Sequence, residues 1–430
     1  MTNNFRYIVR KEFFGALVYD RATDSYLALD EELYNILQKT PSEIMADEEL
    51  FNMLLEEDFF VKDQKNYICF SNTHLDDTLS SPARIHFYYT TACNLNCKHC
   101  FTKKHNVGEE MTFEEKCNLI DQMSDLGIAE ILVGGGEPFV KNDFIDFVNY
   151  SISKGIATKV FTNGLLLNDE LCNKISNWNI TYMSISVDGT TEDEYESIRG
   201  IRGLEKVKEN IRRVKRTCKF PLAISITVNN NNYMNAEQYL ELALNCDVDR
   251  IKVRPTKPSG NIFDHPEVYL TPERYLEFIV NMQRIWNAKY KDKFRLDFSW
   301  GDSRLLYNPE SDSIEVADIV FPYDGYGCFA GKGSMVISAN GMVSPCGFLP
   351  VQMQFNSSDN IKEKKIKDIW DNGTKFNRLR QLTGNQKCLA CKYYPVCRGG
   401  CIARIIYAGK KITDVDPWCL DKFFPVKIGV

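Results

Sequence analysis

The chain has 430 residues, 44% of them hydrophobic and 26% charged, with a net charge of −6. That length holds two or three domains, and the acidic balance excludes a partner gripped chiefly through its phosphates, so no nucleic acid is expected. The opening MTNNFRYIVRKEFF lacks the apolar core of a secretory signal, and no stretch approaches the roughly 20 apolar residues of a membrane span, so a cytoplasmic protein without membrane contact is expected.

Residues 1–70 form a first unit. In FGALVYDRATDSYLALDEELYNIL, Leu17–Tyr19 and Tyr26–Leu29 read as strands about the polar turn DRATD. Asp30 then caps a helix carrying Leu33, Ile36 and Leu37 on one face. PSEIMADEELFNMLLEEDFF adds two short helices and a strand-like end, which completes a winged-helix pattern. The polar stretch SNTHLDDTLSSPAR, residues 71–84, reads as a linker.

From 85 to about 255 strand and helix patterns alternate. IHFYYT, EILVGG, TKVFTN, YMSISVDG, LAISITV and RIKVRP are the strands. Six βα units predict an α/β fold, a parallel sheet curled as a partial (β/α)6 barrel, with chemistry at the C-terminal strand ends. Beyond it TPERYLEFIVNMQRIWNAKY is a helix in otherwise irregular sequence. The expected boundaries are 85–310 for the barrel core and 311–430 for a cysteine-punctuated tail.

The cysteines carry the chemistry. Of 15, three sit in ACNLNCKHCF, at Cys93, Cys97 and Cys100, directly after the first barrel strand. Seven more lie at Cys328, Cys346, Cys388, Cys391, Cys397, Cys401 and Cys419. The remaining five, Cys69, Cys117, Cys172, Cys218 and Cys246, read as small buried hydrophobes. A structural zinc site closes with four ligands, whereas C-x3-C-x2-C supplies three thiolates and leaves one iron of a four-iron cluster open to a ligand.

TTACNLNCKHCF, with His99 before its third cysteine, followed by GGGEP at the second strand end, resembles the signature of the radical S-adenosylmethionine (SAM) family. The resemblance implies that Gly135, Gly136, Glu137 and Pro138 hold the SAM amino group, and that Thr162 and Asn163 of FTNG add contacts. It further implies that Ser186 binds the ribose, Arg199 the carboxylate and Val228 the adenine. In that family SAM on the reduced cluster yields a 5′-deoxyadenosyl radical that takes a hydrogen from an unactivated carbon.

C-x12-G-x4-C followed by C-x2-C-x5-C-x3-C and Cys419 resembles the SPASM auxiliary-cluster domain. By that pattern Cys388, Cys391, Cys397 and Cys419 complete one four-iron cluster, and Cys328, Cys346 and Cys401 hold another, three clusters in all. The stretch VFPYDGYGC offers no eighth cysteine, so the second auxiliary cluster keeps an open iron or takes another ligand, Asp324 being the nearest carboxylate. A zinc ribbon is the alternative for the CxxC portion.

Residues 1–70 resemble the peptide-recognition element of ribosomal peptide maturation systems, which binds a leader as an added strand. Together these resemblances imply a peptide maturase, fed by a donor such as flavodoxin or ferredoxin. The incomplete cluster tilts the expectation toward a thioether. The alternatives are carbon–carbon crosslinking, a sulfatase-maturase-like activity, and a non-catalytic iron–sulfur carrier. No general base is identified, so the catalytic residues stay unassigned.

Overall fold

The computed structural model describes residues 5–61, 64–71, 78–102, 108–300, 303–308, 313–316, 328–349, 359–382 and 385–424. The first unit is a sheet of β1 (Tyr7–Glu12), β2 (Gly15–Asp20) and β3 (Ser25–Leu29), with helices α1 (Glu31–Gln38), α2 (Pro41–Met45) and α3 (Glu48–Glu56). The hairpin β4 (Phe60–Val61) and β5 (Gln64–Lys65) precedes β6 (Tyr67–Phe70), which adds in parallel to β1. The order β3-β2-β1-β6 leaves β3 at an edge.

The expected turn and cap are there: Asp30 accepts from the Leu33 N–H at 2.9 Å. Helix α1 buries Leu37 and packs Ile36 against the same core, as expected, with Tyr34 also buried and Leu33 half-buried. Strand β1 is absent from the sequence reading, and Arg10 and Glu12 are the reason. They form a buried ion pair at 2.7 Å whose remaining groups bond Ser80, Ser81 and Pro82. The same bonds bury residues 80–83, in the stretch read as a polar linker; residues 72–77 of that stretch lie outside the described residues.

The six expected strands follow as β7 (Arg84–Thr90), β8 (Glu130–Gly135), β9 (Ala157–Thr162), β10 (Tyr182–Ser186), β11 (Leu222–Val228) and β12 (Arg250–Pro255). They pair in parallel in chain order, and helices α4 (Phe113–Asp125), α5 (Phe144–Ser153), α6 (Asp169–Ile175), α7 (Glu192–Arg199), α8 (Leu204–Thr217) and α9 (Ala236–Asn245) lie between them. Alternation sends Ile85, Phe87, Ile131, Val133, Met183, Ile185, Ile251 and Val253 into the core shared with the helices. The opposite face, the barrel lumen, receives His86, Tyr88, Lys159, Tyr182, Ser184, Arg250, Lys252 and Arg254.

The sheet does not stop at six. After α10 (Pro272–Lys289), the stretch read as irregular supplies β13 (Arg295–Trp300), parallel to β12, and the antiparallel β14 (Ser303–Asn308) and β15 (Ser313–Val316). On the other edge β16 (Ser334–Ile337), from the cysteine-rich tail, pairs in parallel with β7 and carries β17 (Val343–Ser344), giving eleven strands. Among the described residues no helix is long and apolar enough to cross a membrane.

The first unit sits against the N-terminal mouth of the barrel, with Ile8 and Tyr19 packed on Ala129 and Ala157. Asp24, in the β2–β3 turn, reaches Arg250 at 2.8 Å and also pairs with Lys159, which in turn pairs with Glu130. Burial alone would raise the Asp24 carboxyl, but Lys159, Lys252 and Arg250 outweigh it and hold it low. Asp24→Ala should cost about 2–3 kcal/mol by urea unfolding, less than for a charge left bare, because Lys159 keeps Glu130 and Arg250 keeps Asp297.

Candidate active site

The loop after β7 is laced to the glycine-rich turn after β8. Gly136 donates to the Thr90 carbonyl at 2.7 Å and Glu137 to the Ala92 carbonyl at 2.9 Å. A Cβ on Gly136 would stand 2.1 Å from the Ala92 oxygen, so only glycine lets the two turns meet. From the other side Asn261 donates through its backbone to the Cys100 carbonyl and through its side chain to that of Cys97, each at 2.9 Å. Both turns arise where apolar strands end, so the three cysteines are presented by rigid sheet.

Glu137 is buried and accepts from the Asn163 N–H at 2.7 Å, the Thr162 hydroxyl at 2.8 Å and the Phe139 N–H at 3.2 Å. Asn163 also donates to Asn94 in the cysteine loop at 2.7 Å. The expected Glu137, Thr162 and Asn163 are thus one clamp. A carboxylate has about four acceptor positions, and three are filled by the protein, which leaves one for an amine.

Burial pushes the Glu137 carboxyl up to about 7 against the pull of these donors. A carboxyl raised by folding contributes fully below its ordinary 4.5, and the contribution is lost as pH rises through about 7. Without SAM the urea midpoint should therefore decline across that window, by about 3 kcal/mol in unfolding free energy. Glu137→Gln should flatten the decline.

Arg199 ends α7 and places Nη1 3.6 Å from the Cys97 sulfur. Its guanidinium pairs with Asp188, a fully buried residue just beyond β10. Asp188 also faces His99 Nε2 at 3.2 Å and accepts from the Thr227 N–H at 2.8 Å. Burial would raise the Asp188 carboxyl, but Arg199 and His99 keep it well below the carboxylate range. The Cys97 thiol is pushed up to about 11 by burial, with Arg199 opposing. Arg199 Nε and His99 Nδ1 are buried with no hydrogen-bond partner among the described residues. An unpaired guanidinium N–H beside the thiols suits a carboxylate.

Ser186 and Val228 end β10 and β11; the register Ile185↔Thr162 sets Ser186 beside the Asn163 end of the clamp. The Val228 side chain is in the core, and its carbonyl accepts from the Thr256 N–H at 2.9 Å and hydroxyl at 2.6 Å. Sequence reasoning passed over Asp188, although it lies inside YMSISVDG; a carboxylate directly after a buried strand was the available signal. It also passed over Asn94 and Asn261, which have no distinguishing pattern.

In the tail, Cys328, Cys346 and Cys401 share one small apolar cluster with Ala330, Leu349 and Ile402. The Ala330 and Phe348 N–H groups point at the Cys328 and Cys346 sulfurs, each at 3.3 Å. Cys419 and Cys391 act electrostatically on Cys388, and Cys397, raised to about 12 by burial, is acted on by Cys419 and Cys388. Cys328, Cys346 and Cys401 thus lie in one neighbourhood, and Cys388, Cys397 and Cys419 in another. Among the described residues no three such side chains close to metal-ligating distance. All-thiol sets with N–H donors on sulfur nonetheless fit iron–sulfur ligation. Asp324 lies outside the described residues. Of the five leftover cysteines, Cys172 and Cys246 are buried and the others half-buried.

Between the two regions stands an aromatic bridge. The Tyr88 and Phe101 ring centroids are 5.9 Å apart, those of Phe101 and Phe348 5.0 Å, and Tyr88 senses both Cys100 and Cys346.

Comparison with known proteins gives matches to the Radical SAM superfamily over residues 87–243 and to the SPASM iron–sulfur cluster-binding domain over 328–399. The chain is 30% identical to the AdoMet-dependent heme synthase of Methanosarcina barkeri over 356 residues, 79% of this chain and 97% of that one. It is 25% identical to the mycofactocin maturase MftC of Mycobacterium tuberculosis, over 80% of this chain and 84% of that one. Streptococcus suis SuiB bound to its precursor peptide SuiA has the same fold, with a TM-score of 0.75 at 18% identity over 96% of this chain and 97% of that one. A strand-end cysteine triad clamped by a glycine-rich turn, two further thiol sets, and kinship of this length together make the chain a radical SAM enzyme with a C-terminal SPASM domain.

Proposed function

We propose that the enzyme matures a ribosomally made precursor peptide, forming a crosslink in it. One observation carries this reading: the likeness to SuiB runs over 96% of the chain, the first unit included, and that structure holds a precursor peptide. The heme synthase match covers 79% and favours a tetrapyrrole substrate as the second reading. In our reading β3, an edge strand with Leu27 exposed, pairs with the leader, and residues 1–70 serve as the recognition domain.

Cys93, Cys97 and Cys100 would hold the radical SAM cluster, and the Glu137 clamp, Gly135, Gly136, Pro138, Ser186, Arg199 and Val228 would surround SAM. The bound cluster and SAM supply the hydrogen-abstracting radical. The chain's own part is to hold the amine at Glu137 and the carboxylate at Arg199, and to keep water away behind buried Asp188 and the aromatic bridge. Cys388, Cys391, Cys397 and Cys419 would ligate one auxiliary [4Fe–4S] cluster and Cys328, Cys346 and Cys401 the other. A flavodoxin or ferredoxin would supply electrons.

We place a carbon–carbon crosslink ahead of the expected thioether. The peptide-maturase relatives agree with the broader reading, whereas the thioether rests only on a three-cysteine set whose nearest candidate for a fourth ligand, Asp324, lies outside the described residues. The test is anaerobic co-expression with the short open reading frame beside this gene, followed by thiol alkylation and intact mass. Loss of paired hydrogens with every thiol alkylated supports the carbon–carbon bond. The same loss with a thiol blocked restores the thioether. An unchanged peptide together with turnover of a tetrapyrrole carboxylate would establish the second reading.

A further inference from the structure

The lumen of the barrel is charged, and its charges do not balance. On the lumen face the strands present Arg84, His86, Glu130, Lys159, Arg250, Lys252, Arg254 and Asp297, and the first unit inserts Asp24. The three carboxylates are consumed near the N-terminal mouth. Asp24 pairs with Lys159 and Arg250, Glu130 with Lys159, and Asp297 with Arg250, Lys252 and Arg295. None of them reaches Arg254, one residue from the C-terminal end of β12.

Arg254 lies where substrate chemistry takes place. Its neighbours in the strand, Val253 and Pro255, are buried toward the helices, so Arg254 faces inward, yet it is solvent-exposed. Its guanidinium makes no hydrogen bond or ion pair with any described residue. Across the barrel it acts on His86 of β7, five strands away in the sheet order, which places it over the lumen. Burial, with Arg84, Arg254 and Lys159, pushes the His86 imidazole far below its ordinary value, so His86 adds no anion and no competing charge. Ser184, on the lumen face of β10, has a fully buried hydroxyl without a partner among the described residues. Three residues beyond Arg254, Lys257 has its ammonium 5.5 Å from the Phe348 ring centroid, and Phe348 stacks on Phe101 beside Cys100. Arg254 thus faces the lumen and Lys257 faces the aromatic bridge that joins the Cys100 and Cys346 regions, and neither pairs with an acidic group among the described residues.

We propose that Arg254, with Lys257 beside it, receives a carboxylate of the peptide segment entering the lumen, so that the modified stretch carries an aspartate or glutamate at or next to the reacting residue. The inference rests on the peptide-maturase reading and names the substrate class of that same site. A guanidinium presents a planar fork that grips a carboxylate through two N–H bonds, while an ammonium tolerates less exact placement. Seating an acidic side chain there would fix which carbon of the peptide faces SAM, without any change at the SAM clamp. Binding is non-covalent, so no electron or proton has to be accounted for.

The test works with the natural precursor still unidentified. A library of random short peptides, displayed on their encoding RNA, is selected without air on the reconstituted holoenzyme, and in parallel on Arg254→Gln, Arg254→Glu and Arg254→Lys. Iron content and unfolding midpoint establish that each variant is folded. Only peptides whose recovery differs between wild type and a variant are scored, which removes those held by the first unit. Aspartate and glutamate should be enriched about ten-fold at one position on the wild type, the discrimination expected of a hydrogen-bonded charge. The enrichment should vanish on Arg254→Gln, turn toward lysine and arginine on Arg254→Glu, and return in part on Arg254→Lys. Equal acidic content on all four proteins overturns the carboxylate receptor and leaves the peptide reading standing. Recovery of no peptide on any of them overturns the peptide reading, and this inference falls with it.

Discussion

Asp188→Ala should unfold the protein at a urea concentration corresponding to a loss of about 3–5 kcal/mol. The carboxylate is fully buried and neutralises Arg199, which is itself buried against the Cys97 sulfur. Removing it leaves a guanidinium with no anion in a low-dielectric pocket and deprives the Thr227 N–H of its acceptor. His99, just before Cys100, loses its anchor in the same stroke. SAM cleavage should drop by about a hundred-fold, the upper range for a group that orients ligands from behind. Asp188→Asn keeps the Thr227 bond and should fall between the two. An unchanged midpoint in Asp188→Ala would mean that Arg199 is neutralised by the thiolates alone, and the anchoring role would be withdrawn.

Asp416→Ala should cost a similar 3–5 kcal/mol, but in the other half of the molecule. Asp416 accepts from the Cys401 N–H at 2.6 Å and the Trp418 N–H at 2.9 Å, and pairs with fully buried Arg404 at 2.5 Å. One carboxylate thus joins the backbone of Cys401, from one thiol set, to the segment leading into Cys419, from the other. Without it both auxiliary sets should lose register. The expected result is iron content falling to about that of one four-iron cluster, SAM cleavage retained, and crosslinking lost. Arg404→Met combined with Asp416→Ala should be less destabilised than Asp416→Ala alone, since no bare charge remains. Full iron content in Asp416→Ala would refute the linkage.

What could be read in advance was whatever depends on spacing. The first triad and the run from Cys388 to Cys401 stand out by intervals of two to five residues, whereas Cys328, Cys346 and Cys419 join their sets only through the family resemblance; the six barrel strands follow from apolar runs between turns. Strand β1 was not legible because Arg10 and Glu12 look like surface residues until Ser80 and Ser81, some 70 positions later, arrive to bury them. In β13, Arg295 and Asp297 alternate with Leu296 and Phe298, a strand pattern hidden by charges that belong to the lumen. The Glu137 clamp was half legible. Glu137 stood out in a motif, but its use as an acceptor for Thr162 and Asn163 depends on strand register. Asp188 was visible in the sequence and left without a role, because one carboxylate shows no periodicity.

Strand β7, which delivers the cysteine triad, takes one of its two partners from β16, about 250 residues further along the chain, and ribosomes add roughly 5–20 residues per second. For something between ten seconds and a minute of synthesis, the nascent barrel therefore shows an open strand edge of IHFYY, rich in aromatic and branched side chains. That edge is the kind on which chains stick to one another. A fragment ending before residue 334 keeps it open permanently, and it should precipitate on expression even though Cys93, Cys97, Cys100 and the whole Glu137 clamp are present. The tail thus acts as a late-arriving cover for the nascent chain, and a slow or chaperone-assisted finish to synthesis is built into the order of the strands.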